Sequence, residues 1–461
     1  MWEETFDDID LASQPKGGIF NTSLFKEKID TVLVFLIIIS SAFILIISLK
    51  FRIFHLWADF LQSNTFLRIS TIPLFISGGF IIAGLIFKTI LWFRYKPQSL
   101  KENENIEWPF VSVIMPALNE EELIKKSIDS IFASTYPKEK IEVICINDGS
   151  KDRTYLYMLR AKYKYNGRLK VINFKENMGK RKALYVGLKQ SKGEIIVTVD
   201  SDSKIGRSAI RNLVIPLLKD GKTGAVSGRV GVLNEKENFL TRMLSVRYSL
   251  AFDFGRAYQS NYGAVFCCPG ALTAYRKSVL QLFIKDWVNQ EFLNTKCTYG
   301  EDRALTTNIL KAGYMTRFQS NAVVYTKVPT SFGQMNKMYL RWTRSYIRES
   351  ILFAQFMFSR YRTKHRVLPI FDFLFINILH PFHIFTLAIV TYSFLLNPLF
   401  IVRHLAFLVI SSFFFSLYYL RSNKSIAFLY GIPYGIITAF CLWWIVPVAA
   451  FSLKNQSWLT R

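Results

Sequence analysis

The hydrophobic positions of this 461-residue chain form two apolar flanks around a more polar middle. Thr31–Leu49 is an uncharged run, and Ile69–Phe93 carries only Lys88, which can snorkel to the headgroups from near a helix end. Both runs are long enough to cross a hydrocarbon layer of about 30 Å at about 1.5 Å per residue. We therefore predict two transmembrane helices within residues 31–93, after an N-terminal head at residues 1–30.

From Pro109 the pattern changes to short β-rich runs that alternate with amphipathic helices. The predicted strands are Phe110–Met115, Ile141–Ile146, Leu169–Phe174 and Glu194–Val199, and the helices between them are Glu120–Ala133, Arg153–Lys162 and Lys180–Lys189. This alternation predicts right-handed βαβ units and an open, mostly parallel sheet. The predicted fold is a Rossmann-like α/β domain over residues 94–328, inserted between transmembrane helices.

The C-terminal part of the chain returns to apolar sequence after a predicted helical region at residues 329–368. Only Asp372 is charged in the long apolar run that follows, and this run exceeds one span, so we predict a break at Pro381. Glycines and prolines interrupt Ser425–Leu453, which favours a re-entrant or interfacial segment. Residues 369–453 are thus predicted to form transmembrane and interfacial helices.

Composition and charge agree with this division. The chain is 51% hydrophobic and 16% aromatic, and its net charge is +25, with the basic residues largely in the polar middle. The positive-inside rule then places that middle in the cytoplasm of a multi-pass plasma or inner membrane protein, where it attracts anionic substrates. Nucleic acid is the weaker interpretation of the charge. The five cysteines show neither metal-ligand spacing nor a disulfide framework, which fits a reducing cytoplasm.

Two carboxylates, Asp200 and Asp202, directly follow the predicted strand Glu194–Val199. Ligands of open α/β sheets bind beyond the carboxyl ends of the strands. Carboxylates separated by one residue offer hard oxygen ligands to Mg²⁺ or Mn²⁺, which keep other positions for water and phosphate. An isolated Asp-x-Asp is also typical of a solvated turn, so its neighbours decide the interpretation.

Other polar residues follow the neighbouring strands. Each would singly be ordinary turn or helix-cap chemistry. Together they place acids, amides and two cations on one edge of one sheet, as a nucleotide-diphosphate site with a bridging cation requires. These candidate substrate-binding residues are Pro116, Asn119, Glu120, Asp148, Lys180 and Arg181.

This ordered series resembles the family 2 glycosyltransferases with a GT-A fold, and in particular their membrane-embedded processive branch of hyaluronan, chitin and chito-oligosaccharide synthases. The resemblance covers roughly Pro109 to Arg461. It implies that Asp148 contacts uracil and that Lys180 and Arg181 lie along the nucleotide. It also implies that Asp200 contributes to substrate binding and that Asp200 and Asp202 hold the metal on the diphosphate.

Two later segments extend the resemblance. Cys268 and Gly270 lie in a run of small residues that resembles the family's acceptor floor, although a buried strand with a tight turn would look the same. Glu301, Asp302 and Arg303 resemble the segment whose second acid is the catalytic base. By charge alone, the two acids would be favoured at a helix N-terminus. The resemblance implies that Asp302 is the base and that the others bind substrate.

A predicted helix then carries Arg341 and Trp342, which resemble the Arg-Trp of the family's Gln-x-x-Arg-Trp motif. We interpret them as acceptor and diphosphate contacts, and we expect Arg344 and Arg348 nearer the lipid headgroups. Met338 stands where the family has Gln. Because a thioether is a weak hydrogen-bond acceptor, we expect moderate processivity.

The final residues, 454–461, form a predicted gating tail. Trp458, Thr460 and Arg461 resemble the Trp-Gly-Thr-Arg that gates the active site of hyaluronan and chitin synthases, with Leu459 in place of Gly. An ordinary polar tail is the alternative. Two crossings before the domain and two after it would leave this tail in the cytoplasm.

The resemblance implies a processive inverting glycosyltransferase that polymerises UDP-sugars into a β-linked polysaccharide and moves it across the membrane. The donors would be UDP-GlcNAc with or without UDP-glucuronate, the cofactor Mg²⁺ or Mn²⁺, and the partners the growing polysaccharide and membrane lipid. The alternatives are a chitin-type synthase that uses UDP-GlcNAc only and a non-processive transferase that adds one sugar to a lipid. A binding protein without turnover would have lost the base or the metal acids, and both are present.

Overall fold

The computed structural model describes residues 65–100, 106–362, 366–396, 398 and 400–455. These residues form two compact units. The first unit contains Arg94–Arg366 and the segment from Cys441 onward, and the second contains the described residues up to Phe93 together with Val367–Phe440. The predicted first span at Thr31–Leu49 lies outside the described residues.

The first unit is built on one eight-stranded sheet, and a separate two-stranded hairpin pairs β8 with β9. In chain order the strands are β1 (Val111–Ala117), β2 (Ile141–Asn147), β3 (Leu169–Asn173), β4 (Ile195–Val199), β5 (Ser203–Ile205), β6 (Thr223–Val232), β7 (Leu272–Arg276), β8 (Glu291–Phe292), β9 (Thr295–Lys296) and β10 (Met315–Thr326). The four predicted strands are confirmed, with ends that differ by one or two residues.

The order of the large sheet is β3-β2-β1-β4-β7-β6-β10-β5. The half from β3 to β4 is parallel, as the strand and helix alternation predicted. Beyond β4 the sheet is mixed, because β7 runs antiparallel between β4 and β6, and β5 runs antiparallel to β10. Parallel pairing returns between β6 and β10. The prediction of a mostly parallel sheet is therefore confirmed for the half from β3 to β4 and in part beyond it, and the mixed α/β sheet is consistent with the expected GT-A fold.

The register of the parallel strands brings their carboxyl ends to one edge of the sheet. Val111 of β1 pairs with Ile141 of β2 and with Ile195 of β4, so the carboxyl ends of these strands lie together. All residues of β1 and β4 are buried, as expected for strands covered on both faces. One covering helix packs so closely on β1 that a methyl group at Gly187 would lie 2.5 Å from Ile114.

The helices alternate with the strands in the first unit and form most of the second. In chain order they are α1 (Thr65–Arg94), α2 (Ile124–Phe132), α3 (Thr154–Lys164), α4 (Lys180–Gln190), α5 (Ala209–Lys219), α6 (Phe239–Ser249), α7 (Ala257–Asn261), α8 (Lys277–Gln281), α9 (Ile284–Val288), α10 (Glu301–Lys311), α11 (Phe332–Phe356), α12 (Val367–Leu396), α13 (Phe400–Asn423), α14 (Gly431–Cys441) and α15 (Ile445–Phe451). A π-helical segment, Leu250–Arg256, joins α6 to α7, and 3₁₀ turns cover Lys138–Lys140 and Ile426–Tyr430.

Two predictions for the second unit were wrong. The helix α12 runs without a break through Pro381, so the apolar run does not divide there. Lys88 of α1 does not reach outward alone, because its amine lies 3.2 Å from the carboxylate of Asp372, which is fully buried. A buried carboxylate needs a charged partner, and this need fixes the direction of the lysine.

The predicted interruption of the last apolar segment is confirmed, since Ser425–Leu453 contains a 3₁₀ turn, α14 and α15. By length and composition, no single helix of the described residues qualifies as a membrane span. The helices Ile426–Cys441 and Ile445–Phe451 qualify only together, as a bent pair.

Candidate active site

The candidate site begins where β1 and β2 end, at Asp148. The backbone N–H of Asp148 donates to the carbonyl of Ala117 at 2.9 Å. Its carboxylate accepts a hydrogen bond of 2.8 Å from the N–H of Met178 and is 3% exposed. Burial raises the pKa of Asp148, and the N–H groups of Met178 and Gly179 act in the opposite direction. Asp148 therefore shapes the loop that leads into α4.

Lys180 joins two carboxylates from distant parts of the chain. As the first residue of α4, it places Nζ 2.5 Å from Asp200 Oδ1 and 3.0 Å from Glu301 Oε1. Burial works to lower the pKa of Lys180, but the charges of Asp200 and Glu301 outweigh it and raise the pKa. A methyl group at Gly270 would lie 3.0 Å from this amine, so the glycine leaves room for the ion pairs.

Glu301 and Asp302 open α10, after Gly300 in the left-handed conformation with φ +71°. Burial would raise the pKa of Glu301, but the positive charge of Lys180 lowers it. Burial and the charge of Glu301 together raise the pKa of Asp302. Glu301 is thus the carboxylate that pairs with Lys180, and Asp302 is the more basic of the two acids.

The predicted acceptor floor lies beside this more basic carboxylate. The thiol of Cys267 is 3.9 Å from Asp302 Oδ2. Arg256, the last residue of the π-helical segment, donates from Nε to the carbonyl of Cys267 at 3.0 Å. The N–H of Cys268 donates to Thr306 Oγ1 of α10 at 3.0 Å. These bonds hold the floor against the helix that carries Asp302.

Two predicted substrate residues bring positive charge to the same helix end. Burial lowers the pKa of Arg341, and the carboxylates of Glu301 and Asp302 work against that change, which places the guanidinium in their field. The guanidinium of Arg303 lies 5.2 Å from the ring centroid of Tyr346 on α11. The structure thus gathers cations around the two acids, where a leaving diphosphate would need them.

Trp342 of α11 is the exposed member of an aromatic cluster. Its side chain is 38% exposed, and its ring centroid lies 6.1 Å from Tyr248 of α6 and 5.8 Å from Tyr339, which are both buried. The exposed part of the indole offers an apolar face against which a sugar ring can pack. Met338, in contrast, is only 5% exposed, so the position where the family has Gln faces the protein interior.

The predicted metal residues differ in their surroundings. Asp200 is paired with Lys180, while Asp202 Oδ1 lies 3.2 Å from the hydroxyl of Ser203 and 3.3 Å from that of Thr326. The described residues contain no group of three or more His, Cys, Asp or Glu side chains that could hold a metal ion. Two carboxylates at a strand end nevertheless fit a divalent cation that takes its other ligands from water and a diphosphate.

Of the three residues predicted around the end of β1, two are tied to the segment from the end of β2 to the start of α3. Pro116 is buried within β1. Asn119 has φ +54°, and its N–H donates to Ser150 Oγ at 2.9 Å. The N–H of Glu120 donates to Thr154 Oγ1 at 2.7 Å. Their backbones therefore set the loop geometry at the edge near Asp148.

Arg181, which is predicted to lie along the nucleotide, makes its contacts in the structure to neighbouring protein groups. Its guanidinium is turned inward and is 4% exposed. It donates to the carbonyl of Trp287 at 2.5 Å and to Gln290 Oε1 at 2.9 Å, and it lies 4.9 Å from the Trp287 ring centroid. Lys180 and Arg181 are the first two residues of α4, and adjacent residues of a helix point in different directions. Arg181 is therefore turned inward although Lys180 reaches Asp200.

The expectation that Arg344 and Arg348 lie near lipid headgroups was wrong. The two side chains are 4% and 2% exposed. Arg344 donates to Ser452 Oγ at 3.0 Å, and Arg348 pairs with Glu349 at 3.0 Å. Their spacing along the helix does indicate one face, but that face packs on protein.

Sequence reasoning missed Trp287 and Tyr248, which lie outside every motif and carry no signal of their own. The structure shows Trp287 Nε1 donating to the carbonyl of Glu301 at 3.1 Å. The hydroxyl of Tyr299 donates to the carbonyl of Asn455 at 2.9 Å, so the C-terminal segment reaches the loop before Asp302. The predicted tail residues Trp458, Thr460 and Arg461 lie outside the described residues.

The chain is similar to a known protein family and to several known proteins. The model of glycosyl transferase family 2 matches residues 112–283. An N-acetylglucosaminyltransferase of Mesorhizobium japonicum is 31% identical over 299 residues, which cover 64% of this chain and 70% of the relative. Another, from Rhizobium meliloti, is 36% identical over 245 residues, which cover 53% of this chain and 57% of the relative. The alignment thus spans little more than half of that second relative.

Among solved structures, the mannosyltransferase PcManGT from Pyrobaculum calidifontis in complex with GDP-Man and Mn²⁺ is 23% identical. The match covers 62% of this chain and 76% of that chain, with a TM-score of 0.48.

Proposed function

Because this chain belongs to glycosyl transferase family 2, we propose that it transfers N-acetylglucosamine from UDP-GlcNAc to a hydroxyl of a growing β-linked chain. The observation that carries this proposal is the cluster in which Lys180 bridges Asp200 and Glu301 next to the more basic Asp302. The name shared by the relatives favours a single donor over alternation with UDP-glucuronate.

Asp302 acts as the general base of a single displacement. Its carboxylate takes the proton of the acceptor hydroxyl as that oxygen bonds to the sugar's anomeric carbon, and the bond from this carbon to the diphosphate breaks. Burial and the charge of Glu301 raise the pKa of Asp302, which makes its carboxylate a stronger base for this proton transfer. Attack from the face opposite the diphosphate inverts the anomeric centre, so an α-linked donor gives a β-linked product.

The donor is held from the other side of the cluster. Lys180 and Arg341 neutralise negative charge that develops on the departing UDP, and Asp148 contacts the uracil. Asp200 and Asp202 would hold a Mg²⁺ or Mn²⁺ ion, which when bound supplies further positive charge to the diphosphate. Trp342 packs on the acceptor sugar, and Cys268 with Gly270 forms the floor below it.

We further propose that the enzyme is a multi-pass membrane protein and that the polymer crosses the membrane as it grows. The support is the hydropathy of Thr31–Leu49 and Ile69–Phe93 and the bent apolar pair near the C-terminus. In this proposal the catalytic domain faces the cytoplasm, where UDP-sugars are available, and the tail with Trp458, Thr460 and Arg461 closes over the site.

The proposal is tested by incubating the purified protein with UDP-GlcNAc and Mn²⁺, then with UDP-glucuronate added, and by sizing the product. We expect one UDP released for each sugar added and a chain of several sugars from UDP-GlcNAc alone. Growth only when both donors are present would indicate the hyaluronan type of reaction. A single sugar added to lipid would indicate the non-processive alternative.

A further inference from the structure

We infer that a closed ring of buried hydrogen bonds, formed through Arg181, Trp287, Gln290, Glu349 and Arg348, positions the loop that carries the base. The inference rests on the proposed function, because it assigns these residues to the placement of Asp302. It gives Arg181 and Arg348 a positioning role in place of the nucleotide and headgroup contacts that the sequence suggested.

One side of the ring runs from α4 directly to the base loop. The guanidinium of Arg181 donates to the carbonyl of Trp287 at 2.5 Å and stacks on its ring at 4.9 Å. The indole of Trp287 in turn donates to the carbonyl of Glu301 at 3.1 Å. This carbonyl immediately precedes Asp302, so Trp287 fixes the backbone on which the base is mounted.

The other side of the ring passes through α11. The guanidinium of Arg181 also donates to Gln290 Oε1 at 2.9 Å, and Gln290 Nε2 donates to Glu349 Oε1 at 3.1 Å. Arg348 Nε donates to the same oxygen of Glu349 at 3.0 Å. Arg348 then donates from its terminal nitrogen to the carbonyl of Tyr299 at 2.8 Å, which closes the ring at the base loop.

Gly300 lies between the two points at which the ring holds the loop. Its φ of +71° is in the left-handed region. A methyl group there would lie 2.3 Å from Ser345 Oγ and 2.8 Å from the terminal nitrogen of Arg348. The loop thus bends through a glycine that touches α11 directly, and it has no space in which to move toward that helix.

Burial makes the ring a rigid connection. Arg348 and Glu349 are 2% and 3% exposed, and Arg181 is 4% exposed. Hydrogen bonds between charged groups out of water are strong, and a broken member leaves a buried charge without its partner. The first residue of this connection, Arg181, follows Lys180 in the chain. The ring therefore fixes the amine of Lys180 and the carboxylate of Asp302 relative to each other.

Removing the middle of the ring tests this role without touching the substrate. Gln290→Leu removes both bonds of Gln290 with little change in volume, whereas Asn289→Ala changes an exposed neighbour. We expect Gln290→Leu to lower kcat for UDP release about tenfold and to leave the Kd for UDP within about twofold. Asn289→Ala should match the wild type in both.

Coupling within the ring gives a second test. Glu349→Gln keeps the shape of the side chain but removes its charge, and we expect a loss in kcat of similar size. Because both changes interrupt one chain of bonds, the double variant should lose no more than the larger single loss. Losses that multiply in the double variant would contradict a connected ring.

Substitution of Arg181 distinguishes a positioning role from direct contact with the nucleotide. A positioning role predicts that Arg181→Gln lowers kcat and leaves UDP binding by calorimetry within about twofold, with partial recovery of kcat in Arg181→Lys. Direct contact with the nucleotide predicts a Kd for UDP raised tenfold or more, and that result would overturn the inference for this residue.

The decisive experiment adds hydrogen exchange of the peptide that contains Tyr299–Asp302 to the kinetics of Gln290→Leu. The ring predicts faster exchange there in Gln290→Leu than in the wild type and in Asn289→Ala. If the wild type shows no turnover of UDP-GlcNAc, the proposed function fails, and the exchange still decides whether the ring holds the loop. If the wild type turns over and Gln290→Leu equals it in kcat and exchange, the ring inference fails alone.

Discussion

Replacing Lys180 by methionine tests the electrostatic centre of the site. The amine pairs with Asp200 at 2.5 Å and with Glu301 at 3.0 Å. Methionine preserves the length and most of the apolar stem of the side chain but removes its charge. The variant therefore leaves two carboxylates near each other without the cation that compensates them.

The magnitude follows from the exposure of the three groups. The side chains of Lys180 and Asp200 are 22% and 28% exposed, whereas that of Glu301 is 6% exposed. Breaking a buried ion pair by removing one partner costs about 3–5 kcal/mol, and the partial exposure here favours the lower end, about 3 kcal/mol. For a unit of this size, an unfolding entropy of about 2.1 cal/mol/K per residue makes this a loss of roughly 5 °C in Tm.

Thermal unfolding followed by tryptophan fluorescence measures this effect, with Lys182→Met, two residues on and on a different face of the same helix, as the matched control. The double variant Lys180→Met/Glu301→Gln should recover a substantial part of the lost Tm, because the buried charge is then absent. A Tm of Lys180→Met within about 2 °C of the wild type would refute the reasoning. So would a double variant that is less stable than Lys180→Met alone.

Three further predictions concern the chemistry. Asp302→Asn should abolish sugar transfer and leave UDP binding by calorimetry nearly unchanged, and a joint loss of both would make Asp302 a structural residue. Asp202→Asn should reduce turnover on the order of a hundredfold, as expected for one lost electrostatic stabiliser of about 3 kcal/mol, and excess chelator should reduce the wild type similarly; full activity in chelator would exclude a metal role. Glu301→Gln should move the acid limb of the pH–kcat profile to lower pH. Besides burial, the charge of Glu301 raises the pKa of Asp302, and the base must be deprotonated to act. If the limb does not move, the pKa of Asp302 does not control the rate.

The sequence predicted the parallel half of the sheet because its strands are short apolar runs bounded by turn residues. The acids at the strand ends followed from the same pattern, since carboxyl ends of parallel strands meet at one edge. Lys180, Asp200 and Glu301 were each chosen separately, and the structure brings them into contact. The hydrophobic pattern of the sequence fixes no distances, so it could not predict that these side chains pair directly.

Other features depend on tertiary packing that periodicity does not report. The antiparallel insertion of β7 pairs Leu272 with Val199 across a long separation in sequence. The basic face of α11 looked suited to lipid, yet Arg348 is neutralised by its own neighbour Glu349 and buried. Pro381 looked like a break, but α12 continues through it.

The most direct test of the central claim is the product formed from UDP-GlcNAc by the purified wild type and by Asp302→Asn. The account predicts that the wild type releases one UDP for each sugar added and makes a β-linked chain of several N-acetylglucosamine units, and that Asp302→Asn binds UDP but makes no product. A wild type that binds UDP-GlcNAc without releasing UDP, or an Asp302→Asn variant that elongates the chain at the wild-type rate, would contradict it.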